Sequence, residues 1–474
     1  MDPYTSPNPR AELDAILSSI QTIAERYTNM MLNMDTEALV KVTQPADIPS
    51  LSALAIPFSA PQDIDQVLRE AFEIFDHRLR TNHPRFFSFI PSPASPLSFL
   101  GDSLTSSFNT FAGCKLEGAG PSAIEKSLIE WLAERVGLPD TAGGVFVSGG
   151  SMANLTAIAV ARDQIVPCGK EALGVAYVTD QTHSSVAKAL RILGFRGHQI
   201  WRLPADEKFR MDPQTLQRAI HEDREAGRVP FVVIATCGTT NTGSVDPLSD
   251  ISSICRKERL WMHVDGAYGA SASLSASHRH MVSGLELADS ISWDAHKWLF
   301  QTYGCGLILV RDKKHLLDSF ATDAEYMRDI TEEQDVPNFW NYGIELTKPA
   351  RAMKLWFTMR VLGVDTLGRM IDQGFHLAER AEQELRKRRD WEITSPACMA
   401  ILTFRFAPSG KSERGMDALN VALSKRLLEE NVAGILTTEL RGRVVLRICP
   451  INPRLSGEEM ADTIERLDLI AHEL

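Results

Sequence analysis

A lysine, an aspartate and a histidine, each set just after an apolar run, carry the reactive groups of this chain. Lys297 ends the stretch Ser290-Ile291-Ser292-Trp293-Asp294-Ala295-His296 and is followed by Trp298. An amine attacks a carbonyl only after shedding its proton, and a pocket walled by His296 and Trp298 is expected to lower its pKa. Asp265 closes the run Trp261-Met262-His263-Val264, thirty-two residues earlier. A carboxylate at the end of a buried strand needs a cationic partner, and the small Gly266 and Ala267 after it let a flat ring approach. His183, in Asp180-Gln181-Thr182-His183-Ser184-Ser185, can stack on such a ring or move a proton. Ser148-Gly149-Gly150-Ser151-Met152-Ala153-Asn154 opens a helix, whose free N–H groups favour an anion. Gly150, Ser151 and Asn154 are therefore candidates to cradle a phosphate. No Gly-Lys-Ser/Thr follows, so this is not a nucleotide P-loop, and its spacing is not that of a dinucleotide fingerprint. Cys237 to Ser244, a run of hydroxyls and glycines, contributes Thr240. Singly, each feature has an ordinary structural role open to it; together and in this order they are specific.

The elements that must position these groups alternate from Gly143 onward. Apolar strands are expected at 144–147, 175–179, 198–203, 231–236, 261–264 and 305–310, with helices at 151–162, 184–193, 213–225 and 247–258 between them. Such βαβα alternation predicts a largely parallel sheet covered by helices, with ligands bound beyond the carboxyl ends of its strands. Residues 1–90 read as a helical segment, with amphipathic stretches at 11–34 and 64–79 that have nothing local to pack against and should close over another domain or subunit. An aromatic, proline-broken stretch, 83–93, follows, and Pro121 suits the first turn of a helix. Residues 91–362 form the large α/β domain. Past Leu362 the strand-end motifs stop, and 363–474 reads as a small α+β domain in which Arg447 serves the fold.

Net charge is −11 with scattered basic residues, which argues against a nucleic-acid footprint. Seven cysteines without a Cys-x-x-Cys pair suggest neither a disulfide framework nor a zinc site, and no metal is expected. With no leader-like opening and no long apolar run, a cytoplasmic protein without a membrane segment is the expectation.

One ligand meets every demand above: pyridoxal 5'-phosphate needs a phosphate cup, a carboxylate on its ring nitrogen, flat contacts on both faces and a lysine for its aldehyde. Ser148 to Asn154, Asp180 to Ser185, Gly238-Thr239-Thr240, His263 to Tyr268 and His296-Lys297-Trp298 resemble the group II pyridoxal-phosphate decarboxylases. The resemblance runs from about His83 to the C-terminus. It implies fold type I and a homodimer with N-terminal helices wrapped over the partner. It gives Lys297 the Schiff base, Asp265 the ring nitrogen, and His183 and Ala267 the two ring faces. Thr240 then lies nearby, and Gly150, Ser151 and His296 meet the phosphate. Asp294 stands where related enzymes often carry an amide. The activity implied is decarboxylation of an L-amino acid, aromatic or related, to its amine through a quinonoid. Two alternatives stand beside it. One is oxidative decarboxylation–deamination to an aldehyde, because Phe339 falls where aromatic-amino-acid decarboxylases use a loop tyrosine, with Tyr326 and Tyr342 as substitutes. The other is a non-catalytic binding protein. Phe89 and Pro91 resemble the side-chain pocket's aromatic wall, whereas Lys115 and Glu117 hint at a more polar substrate.

Overall fold

The computed structural model describes residues 8–41, 43–55, 61–322 and 337–474. Among these residues, seven strands form one sheet: β1 (Gly143–Val147), β2 (Gly174–Thr179), β3 (Ile200–Leu203), β4 (Val229–Thr236), β5 (Trp261–Asp265), β6 (Ser290–Asp294) and β7 (Gly306–Val310), in spatial order β1-β7-β6-β5-β4-β2-β3. The central members are continuous apolar runs, Phe231 to Ala235 in β4 for example, because helices cover both faces and leave no side to solvent. β2, β3, β4, β5 and β6 run parallel. The exception is β7, antiparallel to both β6 and β1. Eleven residues without a helix separate Asp294 from Gly306, fewer than the dozen or more that a crossover to a parallel strand takes.

Register lines up the functional ends. Thr236 faces Asp265 and Asp265 faces Ser292 across neighbouring strands, while Gly306 sits between Asp294 and Val147. The helix Gly150–Ile165 packs on this sheet through small residues on one face, Ala153, Ala157 and Ala161, all buried. A second sheet, β8 (Trp391–Cys398), β9 (Ile401–Phe406), β10 (Leu436–Leu440) and β11 (Arg443–Ile448), is antiparallel in order β10-β11-β9-β8 and has its own apolar core with the helices Val364–Arg386, Glu413–Glu429 and Gly457–His472.

One local expectation needs correction, and one helix is new. The helix expected to open at Pro121 begins at Lys115 and is kinked at Gly118 (φ −140°, ψ 45°). A Cβ there would lie 2.5 Å from the Phe111 carbonyl, so only glycine fits, and Pro121 then sits in the turn after the kink, where a missing N–H costs little. The proline-broken stretch gives way to a helix, Pro96–Phe108, in a part of the chain for which no element is expected above. Ser95 caps it through Leu97 N, and Pro96 takes the first helical position.

Candidate active site

Beyond the carboxyl ends of β2, β4, β5 and β6 lies a cavity of about 350 Å³ lined by Gly150, Ser151, His183, Thr240, Asp265, Ala267, His296 and Lys297, among others. All eight proposed cofactor contacts meet here. Phe89, Pro91 and Phe339 do not line it. Phe89 is 59% exposed, held at φ 56° with its carbonyl accepting from Arg447. Pro91 is buried, one residue before Ser92, whose hydroxyl donates to the His296 carbonyl. Phe339 packs edge-on to Tyr342 beneath the Lys348 ammonium, drawn into an apolar site beside β1. Tyr326 lies outside the described residues.

Asp265 is 6% exposed, and three donors reach it: Asn154 Nδ2 at 3.0 Å, Ser292 Oγ at 3.2 Å and Ala267 N at 3.2 Å. This arrangement suits a carboxylate held in place for a cation above it. Asn154 thus serves Asp265 and not the phosphate cradle, since it lies on the sheet-facing side of its helix. Its carbonyl meets His263 Nε2 at 3.0 Å, and Ser185 Oγ lies 3.0 Å from its amide nitrogen. Sequence reasoning missed His263 and Ser292 as parts of the site. The available signal was strand alternation, which puts His263 on the same face of β5 as Asp265.

Lys297 is not in the environment expected from its neighbours. Trp298 turns away, fully buried, and stacks on Tyr268 with ring centroids 4.7 Å apart. Lys297 Nζ instead lies 2.9 Å from Asp294 Oδ2. Burial pulls its pKa down, but the Asp294 and Asp265 carboxylates outweigh burial and the net shift is upward. The ammonium therefore stays charged until another group displaces its counterion.

The phosphate end has the donors a phosphate needs in the first turn at Gly150 and Ser151. A Cβ on Gly150 would come 2.8 Å from Asp294 Oδ2 and 3.2 Å from the Ala267 methyl, so the cradle requires glycine. It also holds two acceptors. His296 Nδ1–H donates to the Cys305 carbonyl at 3.0 Å and burial lowers its pKa, leaving Nε2 unprotonated 3.7 Å from Asp294 Oδ2. Asp294 Oδ1 is buried without a hydrogen-bond partner among the described residues. Asp294→Asn is expected to tighten pyridoxal phosphate binding to the apoprotein by about tenfold or more, because a like charge beside a bound anion costs several kcal/mol. Fluorescence titration of the apoprotein checks this.

Two buried groups shape the acid response. His263 is pushed down to about 4 by burial, against the pull of Asp265. The unfolded chain binds that proton below pH 6.5 and the fold does not, so stability falls as pH drops towards 4. Asp246, raised to about 6 by burial, works the other way, since the fold binds its proton first. Asp246→Asn should therefore steepen the loss of stability between pH 6.5 and 4 to about 1.4 kcal/mol per pH unit, read from urea unfolding at several pH values.

A parallel sheet of this order, with a lysine, a buried carboxylate and an N–H cradle converging beyond its strand ends, defines a pyridoxal-phosphate enzyme of fold type I. Residues 47–407 match the pyridoxal-dependent decarboxylase conserved domain. An aromatic-L-amino-acid decarboxylase of Bacillus atrophaeus is 42% identical over 85% of this chain and 84% of its own length. A phenylacetaldehyde synthase of Arabidopsis thaliana is 31% identical, covering 85% and 86%. Among solved structures, Oryza sativa TDC with PLP and tryptamine superposes with a TM-score of 0.91 at 26% identity, over 97% of this chain and 98% of that one. The chain belongs to the pyridoxal-dependent decarboxylase family and is a pyridoxal-phosphate-dependent carboxy-lyase acting on an amino acid.

Proposed function

We propose that this chain decarboxylates an aromatic L-amino acid to its amine, as a cytoplasmic homodimer. The reading rests on one observation above others: Lys297, Asp265 and the N–H cradle at Gly150 and Ser151 line one cavity beyond the strand ends. When bound, the cofactor supplies an aldehyde for amino groups and an electron-accepting ring that lets a carboxylate leave as carbon dioxide. Lys297 would hold the aldehyde, Asp265 the ring nitrogen, and Gly150 and Ser151 the phosphate, which His296 would join by taking a proton on Nε2. His183 and Ala267 would flank the ring, with Thr240 at the rim. An aromatic substrate is supported by the relative at 42% identity, an aromatic-L-amino-acid decarboxylase. The aldehyde alternative leaned on Phe339, and that ring packs away from the cavity. Incubation with a panel of amino acids, with and without oxygen, tests the reading. The expected result is oxygen-independent amine and carbon dioxide from aromatic substrates; peroxide and aldehyde would replace the reading with the oxidative one.

The N-terminal helix Pro9–Leu32 supports the homodimer, for Leu13, Leu17 and Ile20 on it are each at least half exposed, as are Phe75 on Ile64–Asp76 and Phe108 on Pro96–Phe108. A second copy of the chain would cover this apolar face. Leu17→Glu with Ile20→Glu should convert a dimer to a monomer in sedimentation; a wild-type chain that sediments as a monomer would remove the dimer from the proposal.

A further inference from the structure

We infer that Trp261, Ser290 and His263 are positioning residues: they set the direction of each hydrogen bond leading from the sheet core to Asp265 and His183, and so leave the His183 proton on Nε2. The inference deepens the reading of Asp265 and His183 as cofactor contacts and rests on it for its consequence in catalysis.

The chain of bonds has two ends that cannot reverse. At one end the Trp261 indole, which can only donate, reaches Ser290 Oγ at 2.8 Å. Ser290 then points its own proton at His263 Nδ1, 2.9 Å away. An imidazole that accepts at Nδ1 carries its proton on Nε2, and this N–H donates to Asn154 Oδ1 at 3.0 Å. The Asn154 amide is thereby oriented with its nitrogen towards Asp265 Oδ2 and Ser185 Oγ, both at 3.0 Å. At the other end the Asp265 carboxylate can only accept, and it favours that same orientation of the amide. Donor-only and acceptor-only termini agree, so one hydrogen-bond polarity satisfies the network.

A branch carries the polarity to the cavity. Ser185 Oγ, accepting from Asn154, gives its proton to His183 Nδ1 at 2.8 Å, and Ser185 N–H approaches the same nitrogen at 3.3 Å. A proton on Nδ1 would face that N–H, so the ring keeps its proton on Nε2, the nitrogen not engaged by Ser185. His183 therefore offers a donor to whatever occupies the cavity it lines. Burial independently favours a neutral His263, the form that the relay needs. Trp261, Ser290, His263 and Asn154 are all at most 5% exposed, so water does not compete for these bonds.

Long-range ¹H–¹⁵N spectra of apoprotein labelled in histidine test the inference without the cofactor. In its neutral form, each of His263 and His183 is expected as the single Nε2–H tautomer. Ser290→Ala should give His263 mixed tautomers, and Ser290→Thr, which keeps the hydroxyl, should restore one. In the holoprotein, Ser290→Ala should move the pH midpoint of the cofactor's visible absorbance by about one unit, because a reversed Asn154 would turn its carbonyl towards Asp265. Trp261→Phe leaves the Ser290 hydroxyl free to reverse and should also mix the His263 tautomers, which keeps the test open if Ser290→Ala does not fold. An Nδ1–H tautomer at His183 in the wild-type protein would overturn the inference. So would Ser290→Ala and Trp261→Phe variants with reduced stability but unchanged tautomers. A failure of the cofactor reading alone would leave the apoprotein spectra as expected and only the absorbance result missing.

Discussion

Lys297→Ala is expected to lower amino-acid decarboxylation by about 10⁴-fold or more, the order of loss seen when a covalent nucleophile is removed from a site built around it. No other amine lines the cavity among the described residues, so no neighbour can take over the role. The substitution has a second effect that must be separated from the first. Lys297 is the counterion of Asp294, whose other oxygen is already buried without a partner among the described residues. Removing the ammonium leaves a buried charge uncompensated and destabilises the fold as well. The double variant Lys297→Ala/Asp294→Asn removes that charge. It should regain stability in urea unfolding while carbon dioxide release stays at the level of the single variant. The visible band of the bound cofactor should shift in both variants, since the amine that holds the aldehyde is gone from each. Decarboxylation within about tenfold of wild type in Lys297→Ala would take the lysine out of the chemistry altogether.

The contrast between Lys297 and its surroundings shows how far the residues speak for themselves. The strand ends were legible because a continuous apolar run followed by Asp265, by His183 or by Gly149-Gly150 is a local pattern, and parallel topology sends such ends to one edge. The lysine's pKa was not legible. Sequence adjacency put His296 and Trp298 around it, but the turn after β6 buries Trp298 against Tyr268 and swings Asp294 to the amine. Asn154 was misplaced for a related reason. Its place near the start of Gly150–Ile165 suggested a phosphate ligand, whereas one turn into the helix it faces β5, where its amide is spent on His263, Asp265 and Ser185. Phe339 was placed by counting along a stretch with few fixed landmarks, and the ring obeys packing beside β1. The antiparallel β7 and the helix Pro96–Phe108 depended on connection length and on a serine cap, cues weaker than an apolar run and easily masked by neighbouring prolines.

Lys348→Met should destabilise the protein by about 3–5 kcal/mol, the scale for breaking a buried ion pair from one side. Lys348 and Glu125 form that pair with side chains 1% and 0% exposed, and Glu125 ties it to β1 through Phe146 N. Glu125 Oε1 accepts from the Lys348 ammonium and also from Phe146 N at 2.9 Å, and its Oε2 has no partner among the described residues. The Lys348 ammonium in turn sits 4.7 Å over the Phe339 ring. Taking away the lysine would leave a carboxylate in an apolar core with one N–H to satisfy it. That N–H belongs to the strand leading directly into Ser148-Gly149-Gly150-Ser151, so the damage should extend to the cradle and weaken pyridoxal phosphate binding. Lys348→Met/Glu125→Gln removes both charges and keeps an acceptor for Phe146 N. It should recover most of the stability and the cofactor affinity together, because desolvating the pair offsets much of what its attraction contributes. Urea unfolding of the two variants with and without cofactor provides the measurement. A loss below about 1 kcal/mol for Lys348→Met would mean that the pair behaves as a solvated surface bridge, and the strand it anchors would need another account of its position.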